Sequence, residues 1–260
     1  MRDKILLFIP GYNCEKQIIR VLGQLDQETM QYFTEIIMVN NRSTDDTEGV
    51  VKGFIEKHPY IPMKLLRNQD NYGLGGSHKV AFAYAKEHGF DYVTVLHGDD
   101  QGTLSDILPV FKKGLHRKHD CILGARFMRG SRLTGYSLFR SFGNVVYDFL
   151  FAAVVKRKIY DLGSGLNVYS VKMLEDSFYE KFPDNLMFNY CMILASQYCA
   201  HDICFYPISW REDDQVSNVK MVNQAVTVLK MLYGYWRDPM SIAQDYREKK
   251  IEEYKAEVIA

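Results

Sequence analysis

The sequence predicts an α/β fold, with a Rossmann-like, mostly parallel central sheet flanked by helices and a helical C-terminal extension. Three observations predict it. In the first half, short runs rich in Ile, Leu, Val and Met alternate with segments whose apolar residues fall at helical spacing. Strand–helix alternation of this kind requires crossover connections, which put helices on both faces of a parallel sheet. The composition, 47% hydrophobic and 25% charged, is that of an ordinary globular chain, not a disordered, collagen-like or coiled-coil one.

Taken in order, Lys4–Ile9, Glu35–Val39, Met63–Arg67 and Asp91–Leu96 read as strands. Cys14–Leu25, Thr44–Lys57 and Gly75–His88 read as the helices between them; in the last, Val80, Ala81, Tyr84 and Ala85 share a face. The second half is less regular. Cys121–Gly124, Leu166–Ser170 and Asp202–Ile208 read as strands, and Ser137–Ile159, Leu186–Cys199, Met221–Trp236 and Met240–Val258 as helices. The charged run 246–257 reads as a solvated helix or a frayed tail.

At 260 residues the chain is shorter than two domains of about 150 residues each. Lys+Arg 32 balance Asp+Glu 32, which argues against a nucleic-acid partner. Five cysteines without a Cys-x-x-Cys give neither a zinc frame nor a disulfide scaffold. Cys14, Cys121, Cys191, Cys199 and Cys204 read as reduced, buried thiols of a cytoplasmic protein. The opening apolar run is ended by Pro10, too short for the roughly 7–15-residue core of a signal peptide. The stretch from Val145 to Val155, interrupted by Asp148, falls short of the about 20 residues a membrane span needs.

Ligands of open α/β sheets sit at the carboxyl ends of the strands. Four loops therefore carry the functional argument. Asp99 and Asp100 lie just after the fourth strand, in His97-Gly-Asp-Asp-Gln101. Adjacent carboxylates there suit a divalent cation bridging phosphate oxygens, and suit a helix N-cap equally well. The loop 40–47 offers Ser43, Thr44 or Asp45 as helix caps, and in Asn40 and Asn41 two amides that can face a ribose or base. The glycine-rich 71–77 opens a helix and can present N–H groups to an anion. It lacks the full Gly-x-Gly-x-x-Gly and follows the third strand, so it is not a dinucleotide fingerprint. In Pro10-Gly-Tyr-Asn-Cys-Glu15, Tyr12 can cover a base while Asn13 and Glu15 take hydrogen bonds.

In order and spacing these loops resemble the family 2 glycosyltransferases of GT-A fold, in particular the polyprenyl-phosphate, dolichol-phosphate mannose synthase-like enzymes. The resemblance rests on Ile9-Pro-Gly-Tyr-Asn-Cys-Glu15, Ser43-Thr-Asp-Asp-Thr47, Asn71-x-Gly73-x-Gly75 and His97-Gly-Asp-Asp-Gln101. It continues through Gly124-Ala-Arg126, Asp161-x-x-Ser-Gly165 and the pair Arg211 and Ser217. It implies a GT-A domain over residues 1–220, with a nucleotide-sugar half to about 125 and an acceptor half after it, and a helical extension over 221–260.

The resemblance implies a metal-dependent, inverting hexosyltransferase of cell-surface glycan synthesis. A nucleotide-sugar donor would meet Pro10, Tyr12, Asn13, Glu15, Asn41, Ser43, Asn71, Gly73, Gly76, Asp99 and Asp100. Mn²⁺ or Mg²⁺ would be held by Asp99, Gln101 and His97; His97 stands where the family has an acid, which either shifts preference toward Mn²⁺ or leaves His97 to hydrogen-bond the sugar or ribose. Arg126, Ser164, Arg211, Ser217 and Lys220 would meet phosphate or acceptor, with Asp161 and Arg211 as the catalytic pair. Arg211 otherwise reads as a surface ion pair with Glu212 or Asp213, and Asp161 as the cap of a turn before Gly163. A phosphate acceptor needs no base because it is largely ionised at neutral pH. A glycan hydroxyl needs one, with Asp161 first and Glu212, Asp213 and Asp214 behind it. The segment Ser137–Tyr160, apolar with basic residues around it, reads as a core helix or as an interfacial helix at the inner face of a membrane, near a lipid-phosphate acceptor. Nucleotidyl transfer on a related fold and a non-catalytic sugar-nucleotide binder are the rival functions. The sequence leaves the sugar, the base and the oligomeric state open.

Overall fold

The computed structural model describes residues 2–212 and 221–260. Ser217 and Lys220, with Asp213 and Asp214, lie outside the described residues. The chain forms β1 (Ile5–Gly11), α1 (Glu15–Leu22), α2 (Gln27–Met30), β2 (Glu35–Asn40), α3 (Thr47–Lys57), β3 (Met63–Asn68), α4 (Gly73–Glu87) and β4 (Tyr92–Leu96). It continues with α5 (Leu108–Lys112), β5 (Cys121–Ala125), β6 (Arg132–Thr134), α6 (Leu138–Val155), β7 (Leu166–Ser170), α7 (Val171–Leu174) and α8 (Phe188–Tyr198). Then come β8 (Ile203–Pro207), β9 (Ser209–Arg211), α9 (Met221–Arg237) and β10 (Ala256–Val258).

One sheet runs β10-β3-β2-β1-β4-β7-β5-β8. β3, β2, β1 and β4 are parallel neighbours, as the strand–helix alternation predicts. β7 lies antiparallel between β4 and β5, and β8 runs parallel to β5. β6 and β9 pair in a small second sheet beside the carboxyl ends. Every residue of β1 is buried, because helices cover both faces. Ile5, Leu7 and Ile9 pack with Ile18, Val51 and Leu108; Leu6 and Phe8 pack with Phe82, Phe151 and Phe188 on the other side.

α6 inverts the usual surface pattern. Asp148, Phe151 and Val155 face inward, while Phe142, Val145, Val146 and Phe149 form an exposed stripe at i, i+3, i+4, i+7. α9 does the same: Val228, Met231, Leu232 and Tyr235 are buried, and Val226, Leu229, Tyr233 and Trp236 are exposed. No helix among the described residues is long and apolar enough to cross a membrane.

Two expectations are corrected. The segment Met240–Val258 is not a helix. Pro239–Ala243 makes one 3₁₀ turn, the chain then runs extended, and β10 adds antiparallel to β3. Arg67 pairs with Glu257, and the Tyr254 hydroxyl donates to Asp184 at 2.7 Å while accepting from Lys79. These contacts outweigh the helix-forming composition of the run. Of the five thiols, Cys14, Cys121 and Cys191 are buried and Cys204 is half-buried, but Cys199 is exposed at the end of α8.

Candidate active site

The carboxyl ends of β1 to β4 bring the four loops together. The Asn13 N–H donates to Ser43 Oγ at 3.0 Å, and Asn13 Oδ1 accepts from the Thr44 N–H at 2.7 Å. The Glu15 N–H donates to Asp45 Oδ2, and Glu15 Oε2 accepts from the Asp46 N–H, both at 3.0 Å. The Pro10 carbonyl accepts from the Gly98 N–H. These residues lace the β1 loop to its neighbours, and Tyr12 is left 46% exposed at the rim.

The paired Asn side chains are spent inside the loops. Asn40 accepts from the Ser43 N–H and donates to Glu48. Asn41 donates to Asn71 Oδ1 at 2.8 Å and accepts from Asn68 and from the Tyr72 N–H. Both are buried, and their amides brace the β2 and β3 loops. The glycine-rich turn is likewise no open anion cradle. The Gly73 N–H donates to Asn71 Oδ1 and the Gly75 N–H to the Asp184 carbonyl at 2.7 Å. Gly73, at φ +70°, sits where a Cβ would run into the Asp184 carbonyl, and a Cβ on Gly76 would meet Tyr72.

Four residues at the end of β4 part ways. Val93 and Val95 face α4, and His97 continues that alternation, its ring against Gly165, where any Cβ would collide with it. Burial, with the charge of Arg126, pulls the His97 imidazole down to about 4, so the ring is neutral. His97 Nδ1 lies 3.9 Å from Asp99 Oδ2. The Asp99 side chain keeps 38% of its surface open to the cleft, yet the protein around it and the charge of Asp100 push the carboxyl up to about 6. The Gln101 N–H donates to Asp99 Oδ1 at 3.2 Å. Asp100, at φ 61°, turns the other way. Its carboxylate accepts from Arg20 Nε at 2.5 Å and from the Arg211 guanidinium, and its carbonyl accepts from Arg211 Nε at 2.7 Å. Arg211 therefore pairs with Asp100, while Asp213 lies outside the described residues. Pairing of β9 with β6, and the Arg211 N–H on the Gln101 carbonyl, hold it there.

Beyond β5, Arg126 donates to both oxygens of Asp161, at 2.7 and 2.8 Å. Asp161 also accepts from the backbone N–H groups of Arg126 and Gly163, at 2.9 and 3.0 Å. Four donors on one buried carboxylate make a rigid anchor. Burial works against the guanidinium charge, and Asp161 outweighs it. The rings of Phe127, Tyr136 and Trp210 wall the cation at 5.3, 5.8 and 5.1 Å. Ser164 is buried; its hydroxyl lies 3.4 Å from the Leu166 carbonyl and 3.3 Å from Asn167 Oδ1. Asp148, on the inner face of α6, is pushed up to about 8 by burial and by the charge of Asp161.

The structure thus places His97, Asp99, Gln101, Arg126, Asp161 and Arg211 around the carboxyl ends of β4 and β5. Asp100, Asn41, Asn71, Gly73 and Ser164 make hydrogen bonds within and between these loops, and Gly76 packs against Tyr72. Sequence reasoning missed Arg20, Trp210 and Asp148. The only signal for Asp148 was a charge inside an apolar run; for Arg20 and Trp210 no local signal existed. Among the described residues no three His, Cys, Asp or Glu side chains gather as a metal would require. The side chains brought together at β4 are the His97 imidazole and the Asp99 carboxylate. The pair fits a divalent cation nonetheless. Two ligands each about 2.1 Å from one ion can lie up to about 4.2 Å apart, which accommodates His97 and Asp99, and donor phosphates can fill the remaining positions.

Comparison with known proteins bears on these loops directly. The chain is 25% identical over 186 residues, 67% of its length and 73% of the relative's, to a UDP-N-acetylglucosamine–dolichyl-phosphate N-acetylglucosaminyltransferase of Methanococcus voltae. It is 20% identical over 261 residues, 95% of its length and 76% of the relative's, to a dolichyl-phosphate beta-glucosyltransferase of Trichomonas vaginalis. Glucosyl-3-phosphoglycerate synthase of Mycobacterium tuberculosis, crystallised with Mn²⁺, UDP-glucose and glycerol 3-phosphate, superimposes with a TM-score of 0.61 at 13% identity, over 93% of this chain and 80% of that one. The shared architecture is the GT-A fold. The sequence model "Glycosyl transferase family 2" matches residues 7–178, which span β1 to β7 and every strand-end loop just described, so this chain is a glycosyltransferase and belongs to family 2.

Proposed function

We propose that the chain transfers a hexose, with inversion and with the help of a divalent cation, from a nucleoside-diphosphate sugar to a lipid-linked phosphate. One observation carries this reading: the cleft holds the His97–Asp99 pair beside two guanidiniums, Arg126 and Arg211, each pinned by its own carboxylate. Such a site neutralises phosphate at two places. Relatives named for UDP-sugar and dolichyl-phosphate substrates support the same assignment.

The cation would rest on Asp99, His97 and Gln101, where it would offset charge on the departing diphosphate. Arg211 and Arg20, held together by Asp100, meet the same developing charge from the protein side. Arg126, its charge fixed by Asp161 and its faces covered by aromatic rings, holds the acceptor phosphate in line with the anomeric carbon. The acceptor oxygen bonds to that carbon as its bond to the diphosphate oxygen breaks. No base is needed, because a phosphate monoester is largely a dianion at neutral pH. Asp161, with four donors on it, anchors Arg126 and takes no proton.

The exposed stripes of α6 and α9, with Lys156, Lys158 and Lys230 exposed beside them, seat the protein on the inner face of an anionic membrane, where such an acceptor is found. Transfer from a panel of UDP- and GDP-sugars to a short prenyl phosphate and to the matching prenyl alcohol tests the function. Label should pass to the phosphate alone, with inverted anomeric configuration and only with Mn²⁺ or Mg²⁺. Transfer to the alcohol or a hydroxylated glycan at a comparable rate defeats the base-free mechanism. Phe142→Asp with Phe149→Asp should abolish co-sedimentation with anionic vesicles and leave transfer to a water-soluble prenyl phosphate intact.

A further inference from the structure

Beneath the cleft lies a second imidazole that the chemistry above does not use. His78, on the inner face of α4, is wholly buried among Phe8, Phe82 and Phe188, whose rings lie 5.2, 5.8 and 5.1 Å away. Its Nδ1 is 2.9 Å from the Leu74 carbonyl. A carbonyl only accepts, so Nδ1 carries the proton and Nε2 presents a bare lone pair to the interior. That Nε2 is buried with no partner. The nearest ring toward the cleft is His97, 6.3 Å away centre to centre at 73°. His97 Nε2 is also buried with no partner, while His97 Nδ1 looks toward Asp99.

Two buried ring nitrogens without partners on adjacent rings are costly unless something joins them. Ring atoms lie about 1.15 Å from an imidazole centre, so nitrogens of rings 6.3 Å apart are no closer than about 4 Å. A direct bond is therefore excluded, and the smallest group that can join the two nitrogens is a single water, which spans about 4.5–5.5 Å. We propose that His78 is the positioning residue of the cation site: through a buried water it accepts the Nε2–H of His97 and leaves the His97 Nδ1 lone pair beside Asp99. The site then offers a nitrogen where an all-oxygen site would offer a carboxylate, and it selects Mn²⁺-like cations over Mg²⁺. The inference rests on the proposed cation site and adds the device that orients one of its ligands.

The test is the affinity of the whole chain for Mn²⁺ and for Mg²⁺, by electron spin resonance and calorimetry, alone and with UDP present. Wild type should favour Mn²⁺. His78→Phe, which keeps a ring in the aromatic box but no acceptor, should lose about 10-fold or more in Mn²⁺ affinity and less in Mg²⁺ affinity. His78→Gln, which keeps an acceptor, should retain the wild-type Mn²⁺-to-Mg²⁺ ratio. In a His97→Asp background, His78→Phe should leave the ratio unchanged. An unaltered ratio in His78→Phe, including equal losses of both cations, or a His78→Gln ratio as low as that of His78→Phe, overturns the positioning role alone. A wild-type protein that binds neither cation, alone or with UDP present, overturns the cation site itself, and this inference with it.

Discussion

Replacing Asp161 with Asn separates an anchor from a base. The two side chains have nearly the same shape, and the change converts an oxygen that accepts from Arg126 into an amide that points hydrogens at it. The pair is almost out of solvent, with side chains 11% and 1% exposed, and the carboxylate holds four donors. Breaking a buried pair by removing one charge costs about 3–5 kcal/mol, since the other charge stays behind uncompensated. For a chain of this size that corresponds to a fall in Tm of roughly 6–20 °C. Urea unfolding and calorimetry should show the loss, and acceptor KM should rise as Arg126 loses its orientation. The double variant Arg126→Met with Asp161→Leu should recover most of the stability and none of the activity, because apolar packing replaces a buried pair at little cost. An Asp161→Asn protein as stable as wild type, with kcat reduced and acceptor KM unchanged, would show that Asp161 handles a proton and refute the anchoring role.

Three further outcomes are expected. The folded carboxyl of Asp148 sits near 8, above its ordinary value, so the native state binds more protons than the unfolded chain between about pH 4 and 8. Its contribution is therefore fully present below about pH 4 and lost as pH rises through 8. Asp148→Asn should gain on the order of 2–4 kcal/mol relative to wild type across that window in urea titrations, and a pH-independent difference contradicts it. Arg211→Ala should lower kcat more than it raises donor KM, because the charge it meets develops as the diphosphate leaves; steady-state kinetics in which only KM moves would remove that role. Gly165→Ala puts a Cβ into the His97 ring and should weaken Mn²⁺ binding while circular dichroism stays native-like; unchanged Mn²⁺ affinity counts against His97 as a ligand.

The parallel half of the sheet was legible because its strands are buried on both faces and read as near-continuous apolar runs, as in Ile5-Leu-Leu-Phe-Ile9. The order of the four loops followed from that, since parallel strands put every carboxyl end on one side. The C-terminal strand was not legible. Tyr254 and Glu257 sit in a run of helix-forming residues, and only the exposed edge of β3, with Arg67 and Lys79 waiting, makes the strand favourable. Asn41 and Gly75 carried the right residue types for contacting a ligand, but their partners, Asn68 and Asp184, lie on other elements. Asp100 is the same case at longer range. A sequence shows two adjacent acids, whereas left-handed backbone at Asp100 sends one carboxylate to Arg20 and Arg211 and leaves the other facing the cleft.

The most direct measurement is calorimetric titration of nucleotide-sugars into wild type and Asp99→Ala, with Mn²⁺ and again with chelator. A single preferred donor should bind with Mn²⁺, and its affinity should collapse by at least about 10-fold on chelation or in the variant. Equal affinity under all four conditions would contradict a cation held by Asp99 on the donor diphosphate.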